Sequence, residues 1–150
     1  MPSPPLPSGR LLGVDYGSKR VGLAISDPEG RFALPLGVVA RKDDRGVARR
    51  IVEIVRREEI AGLVVGEPRR LDGTRGDAAQ RVARFARRLE TATDLPVALV
   101  DESLTSVEAE RRLRSAGVAA DPGSGRVDAV AAQILLQEAL DRRRAEGGVG

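Results

Sequence analysis

Hydrophobic and polar positions alternate twice near the start of this chain. In "LLGVDY" Leu12, Val14 and Tyr16 fall on one face and Leu11, Gly13 and Asp15 on the other, which predicts a strand. "RVGLAISD" sets Val21, Leu23 and Ile25 against Gly22, Ala24 and Ser26, a second strand. Gly17-Ser18-Lys19 is too short a link for anything but an antiparallel hairpin. A third strand is expected around Phe32 to Val39, and Pro35, which cannot donate to a ladder, favours an edge position for it.

The period then changes. "DDRGVARRIVEIVRREEI" puts Val47, Ala48, Ile51, Val52 and Val55 on one stripe of a helix, with Asp43 or Asp44 available as its cap. "AGLVVG" is a continuous apolar run between glycines, the pattern of a central strand covered on both faces. After the polar loop "EPRRLDGTRG" comes a second helix with the stripe Ala78, Ala79, Val82, Phe85, Ala86 and Leu89, then another buried strand in "LPVALVDE". Thr105 and Glu108 have capping-box spacing and open a third helix that stops at Gly117. "AADPGSGR" reads as a turn, and "VDAVAAQILLQEALDRRR" as a final helix fraying into a Gly-rich tail. Three early strands on short links followed by alternating strands and helices imply one α/β domain with a mixed sheet.

Composition narrows the chemistry. The 150 residues suffice for one core, and 41% apolar with 31% charged residues belong to a folded, soluble protein. No apolar run reaches membrane-spanning length, and the opening "MPSPPLPSGR" lacks the continuous apolar stretch of a secretory signal, so residues 1–10 read as a loose leader and the cytoplasm as the expected address. Histidine and cysteine are both absent, which rules out Ser-His and Cys-His nucleophiles, thiolate redox chemistry and ordinary zinc sites. An enzyme built from this set must use carboxylates, hydroxyls, lysines and arginines, and carboxylates commonly act by holding hard cations such as Mg²⁺. The net charge of +3 and a pI near 10.1 suit a polyanionic partner. With Tyr16, Phe32 and Phe85 as the only rings, such a partner is met through its phosphates or duplex shape rather than by base stacking.

In open α/β sheets functional groups gather at the carboxyl ends of strands. That rule selects Asp15, the Gly66 to Gly76 loop, the pair Asp101 and Glu102, and Asp128 in the first turn of the last helix. Neighbours on a strand face opposite ways, so only one of Asp101 and Glu102 shares a side with Asp15. Each acid also has a structural reading: Asp15 can end a strand, Glu102 can be solvated, and Asp128 can complement a helix dipole. Against this, Asp128 lies between Val127 and Ala129 in a strongly apolar helix with small Ala132 one turn on, where an acid is costly unless paired or bound to a metal.

The segments "GVDYGSKRVGLAISD", "VVGEPRRLDGTRG", "VDESLTSVEAERRL" and "GRVDAVAAQILLQEALD" together resemble the YqgF family, also called RuvX, of ribonuclease H-like nucleases, over nearly the whole chain from Leu11 to about Asp141. The resemblance implies a three-layer α/β fold of ribonuclease H type: a mixed five-stranded sheet in order 3-2-1-4-5, its second strand antiparallel, with helices on both faces. It implies a nuclease domain over residues 11–142 and a flexible tail over 143–150. It also implies cleavage of structured nucleic acid, either Holliday junction DNA or the precursor of small-subunit ribosomal RNA. The family's acidic centre falls on Asp15, Glu102 and Asp128, three acids among those the strand-end rule selects, which would hold two Mg²⁺ or Mn²⁺ ions for in-line hydrolysis. Lys19 and Arg20, just beyond Asp15, are candidate phosphate contacts, as are Arg69, Arg70 and Arg75 on the loop after the fourth strand. A two-fold junction would call for a homodimer, and end-processing would not.

The chain departs from the family at three places. Serine stands at 103 where arginine is usual and at 106 where threonine is usual, and Glu67 replaces an apolar residue between Gly66 and Pro68, adding negative charge near the site. Two other functions are compatible with the pattern. An Asp-x-Gly-Ser turn also resembles the phosphate loop of the actin, sugar-kinase and Hsp70 ATPases, although those close two such domains around ATP. A non-catalytic module binding structured RNA would keep the fold and its basic surface.

Overall fold

The computed structural model describes residues 6–17, 19–67, 76–101, 111 and 126–146. Five strands, β1 (Leu11–Tyr16), β2 (Arg20–Ser26), β3 (Ala33–Ala40), β4 (Gly62–Glu67) and β5 (Val97–Asp101), form one sheet in the order β3-β2-β1-β4-β5. The hairpin partners β1 and β2 are antiparallel, as are β2 and β3, while β4 and β5 run parallel to β1. The mixed sheet, its order and the edge position of β3 match the expectations from sequence. Pro35 sits on that edge strand, next to a bulge between Leu23 and Ala24, so its missing donor interrupts no central ladder.

Alternation in β1 sorts its side chains between two cores. Leu12, Val14 and Tyr16 join Leu63 and Val65 under α1 (Asp44–Glu58) and α2 (Asp77–Thr93). Leu11 joins Ala24 and Val64 under the last helix, α3 (Arg126–Glu146). Among the described residues the sheet is thus covered by two helices on one face and one on the other.

Asp43 caps α1 by accepting from the Gly46 N–H at 2.7 Å, which settles the choice between the two acids. The buried stripe of α1 is Val47, Ala48, Ile51 and Ile54; the expected Val52 and Val55 are half-buried on its flanks, because the sheet lies toward the side carrying Ile54. In α2, Ala79, Val82, Phe85, Ala86 and Leu89 are buried as expected, and Ala78 is exposed. The helix expected from Thr105 to Gly117 lies outside the described residues apart from Arg111, which is helical.

The last helix continues to Glu146, past the expected domain edge at 142. Its Arg143 donates to the carbonyls of Pro7, Gly9 and Gly30, and Arg10 pairs with Glu58 at 3.1 Å. Residues 6–10, read as leader, are therefore tied to the domain: Leu6 packs against the α3 core, and the Arg10 carbonyl accepts from Ala61 N–H.

Candidate active site

The site is built where β1 ends. Asp15 is the last residue of β1 on the α3 side, because it shares a strand face with Leu11 and Gly13, and it is only 9% exposed. Its register partner on β2 is Gly22. Directly opposed residues of an antiparallel pair point to the same face, so the space beside the Asp15 side chain is the space above Gly22. That space is filled by the first turn of α3: a Cβ on Gly22 would lie 2.1 Å from the carbonyl oxygen of Asp128. Farther along, Gly13 admits the helix in the same way, with Leu136 Cβ 2.8 Å and the Ala132 carbonyl 3.0 Å from where its own Cβ would be. Two glycines on adjacent strands thus let α3 lie against the sheet and carry Asp128 to the strand beside Asp15.

Asp128 is half-buried, and its Oδ2 accepts from Arg20 Nε at 3.0 Å. Arg20 opens β2 opposite Ala40, and it is turned onto an acid of the site. Sequence reasoning made it a candidate phosphate contact; in the structure its guanidinium also holds a carboxylate. Lys19 is exposed at the hairpin, its carbonyl accepting from Arg41 N–H at 2.9 Å. Glu102, Arg69, Arg70 and Arg75 lie outside the described residues, as do Ser103 and Ser106. Among the described residues no three potential metal ligands gather. The two acids that are described sit on one side of the sheet at its carboxyl edge, and carboxylate oxygens are the donors that Mg²⁺ and Mn²⁺ prefer, so the residues present fit a hard divalent cation.

Glu67 requires a correction. It is buried, and it shares a strand face with Val65 of the two-helix core, so its side chain is on the opposite face of the sheet from Asp15. Its register partner is Asp101. The added charge therefore does not enter the face that Asp15 and Asp128 share.

Sequence reasoning missed the polar cluster behind Asp15. The Tyr16 hydroxyl donates to Asp44 Oδ1 at 2.5 Å, its ring lies 4.5 Å from that of Phe85, and the Arg41 guanidinium stands over the ring, 4.4 Å from its centre. Burial, reinforced by the hydrogen bond and the charge of Asp44, pushes the Tyr16 phenol from 10.0 up to about 12. Arg41 also donates to the Gly17 carbonyl at 3.3 Å, bracing the turn that follows Asp15. The doublet Asp43-Asp44 was the available signal, and it spoke only of a helix cap.

A mixed sheet in this order, with an acid ending its central strand and a second acid carried onto that strand's flank by the last helix, is the ribonuclease H-like fold. The chain aligns with solved structures of that class: Thermus thermophilus RuvC at a TM-score of 0.60 and 17% identity, covering 91% of this chain and 96% of that one, and the Fowlpox virus resolvase in complex with Holliday junction DNA at 0.51 and 11%, covering 91% and 98%. Residues 9–142 match the family model RuvX, described as Holliday junction resolvase, and the chain belongs to that family. Curated relatives named "Putative pre-16S rRNA nuclease" are 46% identical: one from Syntrophus aciditrophicus over 88% of this chain and 88% of its own, one from Anaeromyxobacter dehalogenans over 89% and 98%. The family expected from the four sequence motifs is the family found, a family of nucleases rather than of ATPases.

Proposed function

We propose that this protein is a cytoplasmic, metal-dependent nuclease that hydrolyses phosphodiester bonds in structured nucleic acid, with the precursor of small-subunit ribosomal RNA as its substrate. One observation carries the chemistry: Gly22, the register partner of Asp15, lies beneath the Asp128 backbone, so two acids far apart in sequence meet on one side of the sheet. The substrate follows the name that the 46% identical relatives bear. Holliday junction DNA is the second reading, favoured by the description of the matching family. It would require two copies of the site and hence a homodimer, which sedimentation of the protein on junction DNA would reveal.

Asp15, Glu102 and Asp128 would hold Mg²⁺ or Mn²⁺, two ions by the family resemblance, which when bound polarise the phosphoryl group and supply an activated water. The rest falls to the chain itself. Asp15 is fixed by a strand buried on both faces, so its carboxylate does not have to be ordered when substrate arrives. Arg20 holds one oxygen of Asp128 and keeps that carboxylate aimed. Lys19, exposed at the adjoining turn, meets the phosphate next to the scissile bond, and Arg69, Arg70 and Arg75, which lie outside the described residues, are further candidates for backbone contact.

The test offers labelled precursor RNA and junction DNA with Mg²⁺ or Mn²⁺. The expected result is cleavage of the precursor by the wild type, none in excess EDTA, and none by Asp15→Asn, which stays folded and still binds. Full activity of Asp15→Asn, or activity in EDTA, overturns the metal mechanism. A wild type that binds RNA without ever cutting it would establish the non-catalytic module instead.

A further inference from the structure

We propose that the groove at the N-terminus of α1 is a second nucleic-acid contact, one that holds the sugar-phosphate backbone of the arm flanking the scissile bond. The inference rests on the nuclease reading above and adds a surface to it. The groove has a volume of about 530 Å³ and is lined by Arg41, Lys42, Asp43, Asp44, Arg45 and Arg88. Its two acids are committed: Asp43 caps α1, and Asp44 accepts from Tyr16 and Arg41. Lys42, Arg45 and Arg88 are exposed and form no salt bridge among the described residues.

This concentration of charge is made by the tertiary fold. Arg45 comes from α1 and Arg88 from α2, brought together because both helices bury their apolar stripes in the same core. On α2 the spacing of Arg81, Arg84 and Arg88, each of them exposed, sets these three along one edge of the helix. Arg81, at the other end of that row, is near enough for its charge to act on the Tyr16 phenol. A row of exposed arginines therefore runs along α2 to Arg88 in the groove.

The groove also adjoins the catalytic edge directly. Arg41, in its wall, donates its backbone N–H to Lys19 and its guanidinium to Gly17, the turn that follows Asp15 and Tyr16. A strand leaving the α3 face over the hairpin passes Lys19 and enters the groove. The partner chemistry is that of phosphate: guanidinium and ammonium groups at the positive end of a helix, with no aromatic ring in the groove's lining on which a base could stack. Contact of this kind is independent of base sequence and strongly dependent on salt.

The experiment measures binding in EDTA, where no cleavage occurs, by anisotropy of a labelled structured RNA with a long duplex arm, at several salt concentrations. The triple variant Lys42→Ala/Arg45→Ala/Arg88→Ala is set beside a charge-matched control, Arg50→Ala/Arg57→Ala/Arg144→Ala, whose arginines are exposed and paired elsewhere. The groove variant should bind about tenfold or more weakly at about 0.1 M salt, and its log-log salt slope should fall by about three, one for each lost phosphate contact. The control should keep a slope close to that of the wild type. If groove variant and control weaken equally, or the groove variant keeps its slope, the surface is not a contact. A wild type that binds no nucleic acid at any salt overturns the groove together with the nuclease reading, whereas wild-type cleavage with unaltered binding in the groove variant overturns the groove alone.

Discussion

The carbonyl oxygen of Asp128 occupies the space that a side chain on Gly22 would need, 2.1 Å from where its Cβ would stand. Since Gly22 is the register partner of Asp15, this contact fixes the relative position of the two acids. The obstacle to any larger residue is backbone, which cannot rotate away as the end of a flexible side chain can.

Gly22→Ala should therefore force the start of α3 away from β2. We expect a loss of about 1 to 3 kcal/mol of stability, the usual cost of overpacking, measured by urea unfolding. Cleavage should fall further than that loss explains when assayed where the variant is fully folded, because Asp128 moves relative to Asp15. Gly13→Ala meets Leu136 and Ala132 deeper in the same interface, and it should lower stability with a smaller loss of activity. Equal ratios of activity to stability in the two variants would refute the assignment.

Arg20→Ala separates two roles. If Arg20 holds Asp128, as their 3.0 Å contact indicates, the variant should lose kcat while KM for nucleic acid stays within about twofold. An arginine acting on substrate phosphate would show the reverse, a raised KM and a shallower salt dependence of binding. Arg20→Lys should recover part of kcat, since an ammonium can hold one carboxylate oxygen but cannot copy the planar guanidinium.

Tyr16 is the only tyrosine, so ultraviolet titration of the phenol reads this residue alone. The absorbance change in the folded protein should centre near pH 12, and in denaturant it should return toward 10.0. The folded value is the higher one, so the contribution of Tyr16 to stability is complete below pH 10 and is lost as pH rises from 10 to 12. Thermal melts should show that decline, and Tyr16→Phe, less stable at neutral pH for want of the bond to Asp44, should decline less over the same interval.

Much of this could be read along the chain. The alternation of Leu12, Val14 and Tyr16 with Leu11, Gly13 and Asp15 foretold a strand buried on both faces, because period-2 patterning is a local consequence of the pleat. Pro35 marked β3 as an edge for an equally local reason, its missing N–H. Strand-end placement and an acid lodged in an apolar helix put Asp15 and Asp128 among the candidate acids, and the family resemblance implied that they act together. Local pattern was less able to say which flank of a helical stripe faces the sheet, and so Ile54 is buried where Val52 was expected. It also led to Arg143 being read as tail, since nothing near that residue reveals that carbonyls of Pro7, Gly9 and Gly30 converge on it.

The sequence by itself determined the elements, the edge strand, the exclusion of histidine and cysteine chemistry, and the acids available for a hard cation. Each of these depends on residue type or on spacing within a few positions. The tertiary structure alone decided that Arg20 faces Asp128, that Glu67 lies on the other face from Asp15, and that Arg45 and Arg88 share a groove. Those pairings join residues from separate elements, and they are fixed by how closely helices approach the sheet. That approach depends on two missing side chains, at Gly13 and Gly22, whose effect appears only when the layers are packed together.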